Sequence, residues 1–328
     1  MRSEPRVYVL HENPDWYVPL AAAFDRAGLP HEQWLLGDAV VDLNAEPPRG
    51  VFWSRMSASS HTRGHPYAKD QTRGVLAWLE AHGRRVVNGR RVLDLEMSKA
   101  EQLAALQGAG FDVPRTVAVA GASELAAAAR KLPVPFISKP NQGGKGRGVR
   151  MFATHADFDA YLGGPDYEPP ADGITLLQEY LVAAQPQITR VEIVGGEFVY
   201  AITADTERGG FELCPADACA IPAERAGGTG GRTHGPAART GGPEPSLFAL
   251  RPGFDEPIVG QYLDFARRHG IEIAGFEFIE TADGRLVTYD INTTTNYNAE
   301  IEAVAARSAL GAVTSFLGGL LTTPGSPG

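Results

Sequence analysis

The sequence predicts a mixed α/β and α+β protein, in which an open and largely parallel sheet is followed by two α+β units. Short β-type runs alternate with helical patterns over the first part of the chain, which is typical of a parallel sheet covered by helices. Farther along, long β segments are joined by two turns of hairpin type, at Gly195-Gly196 and Asp283-Gly284. We therefore expect units at residues 1–95, 96–183 and 184–320, and a disordered tail at residues 321–328.

Composition narrows the class of protein. The chain has 328 residues, 43% of them apolar, which is enough to build two or three hydrophobic cores. Its formal charge of −9 argues against a nucleic-acid or membrane-surface binder, since both need a cationic field. The N-terminal stretch lacks the apolar core of a signal peptide, so we expect a cytoplasmic protein. Cys214 and Cys219 are interpreted as ordinary strand or loop residues.

The first unit shows strand and helix patterns in turn. The run "RVYVL" predicts a strand and "VPLAAAFDRAGL" a helix, and "GVFWSRM", "QTRGVLAWLEAHG" and "RRVVNG" continue the alternation. Arg55 follows the second of these strands. It could clamp a substrate carboxylate bidentately, or equally be a surface arginine in a loop.

The second unit contains the most informative segment, "PFISKPNQGGKGRGVRMF", after an amphipathic helix ending at Gly108 or Gly110 and an alanine-rich helix at residues 122–131. Neither a P-loop nor a dinucleotide fingerprint fits it, because no Ser or Thr follows the lysine and no helix follows the glycines. The pattern instead predicts a hairpin flap at residues 143–148, whose glycines let backbone N–H groups approach phosphate oxygens. The phosphate-binding flap residues would be Gly143, Gly144, Lys145, Gly146 and Gly148.

Two further lysines complete this phosphate hypothesis. Lys139 ends the strand that enters the flap, and Pro140 restricts its backbone to an extended conformation. Lys99, at the start of the second unit, would be a routine surface lysine on its own. Beside a flap, it becomes a second phosphate contact.

Three oxygen-bearing side chains in the third unit predict a metal site. Glu277 and the pair Asp290 and Asn292 fall on adjacent strands of one predicted hairpin, the last two on the same face. Such oxygens suit Mg²⁺, with Mn²⁺ as an alternative. Acidic side chains on a strand can also simply face solvent, but Glu277 lies in an apolar run where a free charge would be costly.

The third unit also contains a long glycine-rich segment and a helical pattern near its end. Residues 225–246 are so rich in Gly and Pro that we expect a flexible surface loop, which with its arginines could close over an anionic ligand or could be a solvated insertion. After Asn298 the spacing of apolar residues predicts one helix to about Leu321.

The order of these parts resembles the ATP-grasp superfamily, and within it the RimK-type amino-acid ligases. The resemblance rests on Lys99, "FISKPNQGGKGRG", "LLQEYL", "ITRVEIVGGEFVYAI" and "GFEFIE" with "VTYDIN", and it spans the chain from residue 1 to about residue 318. It implies an ATP-grasp fold, with an N-terminal substrate-side domain and two α+β subdomains that clasp ATP. It also implies that Lys99 and Lys139 contact phosphates and that Arg190 faces the transferred phosphate and the reacting carbonyl. The residues that would line the adenine are Gln178, Glu179, Tyr180 and Leu181.

The implied activity is an ATP-dependent carboxylate-amine ligase that works through an acyl phosphate. Its partners would be a small carboxylate and an amine, such as an amino acid or small peptide, with no nucleic acid and no membrane; a homo-oligomer is an open alternative because relatives commonly self-associate. Asn296 and Asn298, beyond the metal site, are candidate substrate residues with Arg55. The chain departs from the family in two places. The family often has Asp at the position of Glu277 and Glu at the position of Asp290, and it usually has a turn of small residues and glycine where this chain has "NTTTNYN". Rival hypotheses are a silent ATP-binding sensor or scaffold and a kinase-like phosphotransferase.

Overall fold

The computed structural model describes residues 4–144, 146–210 and 246–322. The hypotheses on Lys145, Cys214, Cys219 and residues 225–245 lie outside these ranges. The strands are β1 (Arg6–His11), β2 (His31–Leu35), β3 (Gly50–Ser54), β4 (Arg85–Val87), β5 (Thr116–Ala120), β6 (Phe136–Pro140), β7 (Arg150–Phe152), β8 (Ile174–Glu179), β9 (Gln187–Val194), β10 (Glu197–Asp205), β11 (Phe248–Leu250), β12 (Ile273–Glu280) and β13 (Leu286–Asn292). The helices are α1 (Pro14–Arg26), α2 (Ala68–Ala81), α3 (Arg90–Met97), α4 (Lys99–Gly108), α5 (Leu125–Ala129), α6 (His155–Leu162), α7 (Thr206–Gly209), α8 (Pro257–His269), α9 (Ala299–Val304) and α10 (Ala309–Thr322), with a 3₁₀ turn at Ser60–Arg63.

The first sheet is parallel throughout, in the strand order β2-β1-β3-β4, which confirms the expectation for this unit. β1 and β3 are central and nearly fully buried, as their apolar runs predict. β2 was not predicted, because its sequence "HEQWL" is that of a half-exposed edge strand. Since β1 and β3 are parallel neighbours, their carboxyl ends open on the same side, which is where open α/β sheets form a ligand crevice.

The second sheet is antiparallel, in the order β5-β8-β6-β7. β6 and β7 pair from Phe136 opposite Phe152 to Ser138 opposite Arg150, so the predicted flap is the connection of a true hairpin. Helix α5 is shorter than predicted. Its buried residues are only Leu125, Ala128 and Ala129, so less of the alanine-rich segment has a core face to bury.

The third sheet has the antiparallel order β11-β10-β9-β12-β13. Gly195 and Gly196 join β9 to β10 with φ values of +62° and +80°, a left-handed pair that the two-residue hairpin turn requires. β12 and β13 form the second predicted hairpin, with Gly284 at φ +83° in its loop. Residues 247–270, unassigned from sequence, form β11 and α8.

The single helix predicted after Asn298 is wrong, because the chain forms two helices, α9 and α10. Ala305 is extended (ψ 134°) and ends α9. The carboxylate of Glu302 then accepts hydrogen bonds from the backbone N–H groups of Ala309 and Leu310, each at 3.0 Å, and so caps α10. Because α10 continues to Thr322, the first two residues of the predicted tail are helical.

The first and third sheets share one hydrophobic core, whereas the second sheet has its own. Val9 and Trp53 of the first sheet pack in the same cluster as Val313 and Leu317 of α10 and Val194 of the third sheet. The second sheet buries a separate aromatic cluster, in which Phe136, Phe152 and Phe158 lie together. We call the first and third sheets with their helices the base, and residues 116–179 the lid.

Asn88 joins the two parts of the base. It is buried and has a positive φ of +52°, which Asn tolerates better than most residues. Its Nδ2 donates to the carbonyl of Ile273 at 2.8 Å, and its Oδ1 accepts from the N–H of Glu272 at 2.9 Å. Helix α4, which the predicted boundaries place with the lid, packs Leu106 into the core beneath the third sheet. In the described ranges, no helix combines the length and the apolar character needed to cross a bilayer.

Candidate active site

A cavity of about 720 Å³ lies between the base and the lid. One part of its wall is apolar and includes Ile137, Met151, Leu181, Ile188 and Ile279. The lining also carries the acidic and basic side chains described below. A cavity of this size with an apolar end and a charged end suits a ligand that itself has an apolar and a charged end.

The three predicted metal ligands line this cavity together. Glu277 on β12 lies directly opposite Asp290 on β13, and Gly275 lies opposite Asn292. The pairing slips by one residue at Tyr289, a bulge that lets the Tyr289 hydroxyl donate to Glu277 Oε2 at 2.8 Å. The hairpin thus brings three oxygen-bearing side chains to one wall, as the sequence pattern predicted.

Lys99, the first residue of α4, forms an ion pair with Asp290 across the cavity. Burial on its own would raise the pKa of Asp290, but the positive charges of Lys99 and Lys139 lower it. Burial also raises the pKa of Glu277, and the neighbouring Asp290 adds to this effect, whereas Arg190 opposes it. The Lys99 ammonium therefore already balances the charge of Asp290, whereas Glu277 is paired with Arg190.

Lys139 is the next-to-last residue of β6, and its ammonium forms no ion pair among the described residues, although the charges of Asp290 and Glu277 act on it. The residue is 6% exposed, and within the described part of the chain its side chain has neither a hydrogen-bond partner nor an ion-pair partner. Burial, with Lys99 nearby, lowers the pKa of Lys139 to about 8. A buried and unpaired ammonium is costly, so this position fits an anionic ligand such as a phosphate.

The flap lies over the same end of the cavity. Gly143, Gly144, Gly146 and Arg147 line it, whereas Gly148 does not. Gly146 and Gly148 have φ values of +67° and +75°, in the left-handed region that favours glycine. A Cβ at Gly148 would also lie 3.2 Å from Pro140. Gly146 and Gly148 are therefore required by the turn itself, apart from any ligand.

The segment at the end of β8 borders the apolar wall. Its four residues, Gln178, Glu179, Tyr180 and Leu181, all line the cavity. The side chain of Gln178 donates to Thr116 at 2.8 Å, and that of Glu179 accepts from the N–H of Arg115 at 2.8 Å. Because both polar side chains are already bonded to the neighbouring segment, backbone groups and apolar atoms remain for a planar ligand.

Arg190 does not line the cavity, contrary to the role that the resemblance implies. It lies on β9 directly opposite Glu277, and its side chain is 3% exposed. Its Nε donates to Glu192 at 2.6 Å, its Nη1 to Glu277 at 3.1 Å, and its Nη2 to the Thr295 hydroxyl. Although burial opposes it, the carboxylates of Glu192 and Glu277 raise the pKa of Arg190. All three nitrogens are engaged, so Arg190 holds Glu277 in place.

The three candidate substrate residues, Arg55, Asn296 and Asn298, have different surroundings. Arg55 is buried rather than on the surface, and its Nη2 donates to the carbonyl of Thr295 at 2.6 Å and to Asn296 Oδ1 at 3.0 Å. Burial lowers the pKa of Arg55 to about 10. Asn296 lines the cavity. Asn298 does not: its side chain caps α9 by accepting from the N–H groups of Glu300 and Ile301.

Sequence reasoning missed Glu96. Its buried carboxylate lines the cavity and accepts from the N–H of Thr293 at 3.0 Å, from the Thr293 hydroxyl at 2.7 Å and from the N–H of Ala58 at 3.4 Å. Glu96 thereby links α3, the loop after β3 and the loop after β13. Burial raises its pKa. Nothing in "DLEMSK" distinguishes this residue from a surface acid.

The oxygen-bearing side chains of Glu277, Asp290 and Asn292 suit a hard cation such as Mg²⁺ or Mn²⁺. Asn292 lines the cavity, and its Oδ1 accepts from the N–H of Thr294 at 3.0 Å, a bond that fixes the orientation of the amide. The Lys99 ammonium on Asp290 shows that these oxygens already attract a positive charge. Among the described residues there is no cluster of three His, Cys, Asp or Glu that could hold a metal, so the set depends on the amide of Asn292.

A base and a lid of this topology, with a glycine flap above a cavity and a paired hairpin of oxygen-bearing side chains opposite it, form the ATP-grasp fold. Solved structures of several ATP-grasp proteins are similar to this chain. The ATP-grasp ligase PsnB complexed with a minimal precursor matches with a TM-score of 0.62 and 16% identity, over 96% of this chain and 99% of PsnB. D-cycloserine synthetase DcsG matches with a TM-score of 0.62 and 17% identity, over 96% of this chain and all of that one (100%).

A RimK domain ATP-grasp protein from Sphaerobacter thermophilus also matches, with a TM-score of 0.62 and 16% identity, over 95% of this chain and 98% of that one. Neither the family models nor the curated protein sequences give a match to this chain. At such identities the likeness establishes the fold and leaves the reaction to the chemistry of the site.

Proposed function

We propose that the protein is an ATP-dependent ligase that joins a carboxylate to an amine through an acyl phosphate. The observation that carries the proposal is Lys139, a buried ammonium without a partner among the described residues, in the same cavity as the flap and the Glu277, Asp290 and Asn292 wall. The triphosphate would lie at this charged end. The adenine would lie against the apolar wall and the segment from Gln178 to Leu181.

The reaction balances without a protein nucleophile. A carboxylate oxygen of the first substrate attacks the γ-phosphorus of ATP, and the bond to ADP breaks. The nitrogen of the amine then attacks the acyl carbon, phosphate leaves, and the amine loses its proton. Lys99, Lys139 and the flap N–H groups would stabilise the negative charge on the phosphate oxygens.

Glu277, Asp290 and Asn292 would hold Mg²⁺, with Mn²⁺ as the alternative, and a bound ion there would neutralise phosphate charge. A structure of PsnB contains Mg and ADP. In this role Arg190 is a positioning residue, since it holds Glu277 rather than touching the reacting atoms.

The substrates would bind between the charged wall and the first sheet. Trp16, Ser57, Ser59, Thr294 and Asn296 line that side of the cavity. The class we propose is an amino acid or small peptide. Two structural neighbours, PsnB and the macrocyclase MdnC, are complexed with a precursor or precursor peptide, and MdnC matches with a TM-score of 0.56 and 13% identity. We also propose that the protein acts in the cytoplasm, with a homo-oligomer as an alternative to a monomer.

The test is a matrix of carboxylates and amines, in which ADP formation is measured and the products are weighed by mass spectrometry. The proposal expects ADP only when both substrates are present, together with a product lighter than their sum by one water. Lys139→Met and Asp290→Asn should lower turnover by about 10²-fold or more. Arg73→Met, which changes an exposed ion pair on α2, is the matched control and should keep full turnover.

Other outcomes would support a different function. A stable phosphorylated product that forms without any amine indicates a kinase-like phosphotransferase. ATP binding without hydrolysis under every pair of substrates indicates a sensor or scaffold.

A further inference from the structure

The ion pair between Lys99 and Asp290 suggests how binding at the proposed metal site is ordered. The side chains are 17% and 21% exposed, so the contact is largely shielded from solvent. It involves Oδ1 of Asp290, one of the oxygens that the proposed metal site would use. An ammonium and a divalent cation on one carboxylate oxygen repel each other strongly in such a setting.

The backbone of Lys99 is held on both sides, while its side chain is long. Ser98 caps α4 through the N–H of Glu101 at 3.2 Å. Asn141, at the base of the flap, accepts from the N–H of Lys99 at 3.2 Å and, through its side chain, from the N–H of Ala100 at 2.8 Å. The ammonium can therefore move from Asp290 to a phosphate by side-chain rotation alone.

Lys139 provides the comparison. It is buried in the same cavity and carries the same charge, but it has no carboxylate partner in the described part of the chain. If the positive charge alone weakens cation binding, removing either lysine should have the same effect. If Lys99 acts by occupying Asp290, only its removal should strengthen cation binding.

Resting on the function proposed above, we infer that Lys99 is an internal counter-ion that occupies Asp290 in the nucleotide-free protein. A divalent cation binds there well only after triphosphate or diphosphate draws Lys99 away. The side chain thus makes metal binding depend on nucleotide binding, and by linkage the nucleotide and the metal favour each other by the same factor.

The test measures Mn²⁺ binding by electron paramagnetic resonance on the full chain, first without nucleotide and then with ADP. Without nucleotide, Lys99→Met should tighten Mn²⁺ binding about tenfold or more, because it frees the Asp290 oxygen, whereas Lys139→Met should change it about threefold or less. With saturating ADP, the advantage of Lys99→Met should shrink or reverse. The double variant Lys99→Met with Asp290→Asn should lose the gain. Thermal unfolding of each variant establishes that it is folded.

Equal tightening by the two lysine variants, or none by either, overturns the counter-ion role while leaving the proposed ligase intact. If the wild-type protein binds no Mn²⁺ even with ADP, the metal site itself is wrong, and both proposals fall. Tightening in Lys99→Met that persists in the double variant places the cation elsewhere and also overturns the inference.

Discussion

Arg190 and Glu277 lie directly opposite each other on β9 and β12, and the Arg190 Nη1 donates to Glu277 Oε1 at 3.1 Å. Glu192, two residues along β9 from Arg190, accepts from the same guanidinium at 2.6 Å. A cation whose side chain is 3% exposed thus neutralises the buried carboxylate of Glu192 and the largely buried carboxylate of Glu277, which lines the cavity. Arg190 is therefore better placed to fix the shape of the proposed metal site than to contact a transferred phosphate.

We predict that Arg190→Met lowers the free energy of unfolding by about 3–5 kcal/mol, because it leaves two buried carboxylates unpaired. Urea denaturation followed by circular dichroism measures this change. Adding Glu192→Gln to the variant should recover part of the loss, since one of the unpaired charges is then absent. Arg73→Met on α2 removes exposed ion pairs and should cost about 1 kcal/mol or less. A cost for Arg190→Met no larger than that of the control would contradict this role.

Nucleotide affinity should depend on pH through Lys139. Its pKa of about 8 in the nucleotide-free protein means that the ammonium loses its proton as the pH rises through 8. Above that value, ATP binding must be accompanied by proton uptake, and the affinity should fall by up to about tenfold per pH unit. Titration calorimetry from pH 7 to pH 9.5, about the range of this change, in buffers of different ionisation enthalpy measures both effects. Lys139→Met should bind ATP more weakly at pH 7, and its ATP affinity should not decrease as the pH rises. If the variant keeps that decrease, another group causes it.

Lys139 also makes the stability of the folded protein depend on pH. The pKa of Lys139 is lowered in the folded protein from its ordinary value of 10.5, so the unfolded chain binds more protons between about 8 and 10.5. The cost of burying the ammonium is therefore complete below pH 8 and fades as the pH rises toward 10.5.

Glu96 should act on substrate binding rather than on nucleotide binding. Glu96→Gln replaces a carboxylate that accepts from Thr293 and Ala58 with an amide that can accept through only one oxygen. We expect the loop carrying Thr294 and Asn296 to loosen and the KM for the carboxylate or amine substrate to rise about tenfold, with the KM for ATP nearly unchanged. Steady-state kinetics with each substrate varied in turn measures this split. Glu101→Gln, an exposed change on α4, is the control. An equal rise in both KM values would point to a general loss of structure.

Asn88 should be needed to join the two sheets of the base. Asn88→Ala removes hydrogen bonds to Glu272 and Ile273 and leaves a residue with a Cβ at φ +52°, so we expect a loss of about 2–4 kcal/mol in the free energy of unfolding. Asn88→Gly relieves the backbone conformation but not the lost bonds. It should lie between the wild type and Asn88→Ala in chemical denaturation. If the two variants are equally unstable, the backbone conformation contributes nothing.

The features predicted correctly are those encoded by short-range pattern. The Gly195-Gly196 turn, the β6 and β7 hairpin and the adjacency of Glu277 and Asp290 follow from turn residues and from the alternation of side chains along a strand. Lys139, predicted from "SKP" to aim at a phosphate, lines the cavity; its contact with a phosphate stays a prediction.

The interpretations that changed concern residues whose partners are far away in the chain. The Arg55 guanidinium reaches the carbonyl of Thr295, 240 residues later, and Glu96 reaches Thr293, 197 residues later. Asn298 was predicted to contact the substrate, but its side chain accepts hydrogen bonds from the N–H groups of Glu300 and Ile301 in the first turn of α9. The break between α9 and α10 depends on the Glu302 carboxylate turning back to cap the second helix.

By itself, the sequence determined the alternation of strands and helices in the first unit, the two glycine-containing hairpins, and the types of chemical group available to a phosphate and a cation, because these depend on neighbours within a few residues. Only the tertiary structure decided which charges are free and which are already neutralised. Lys139 faces the cavity unpaired among the described residues, whereas Arg55 and Arg190 are engaged within the base and Lys99 is held on Asp290. Charge pairing in a buried site depends on distances between segments that are remote in sequence, and folding sets those distances.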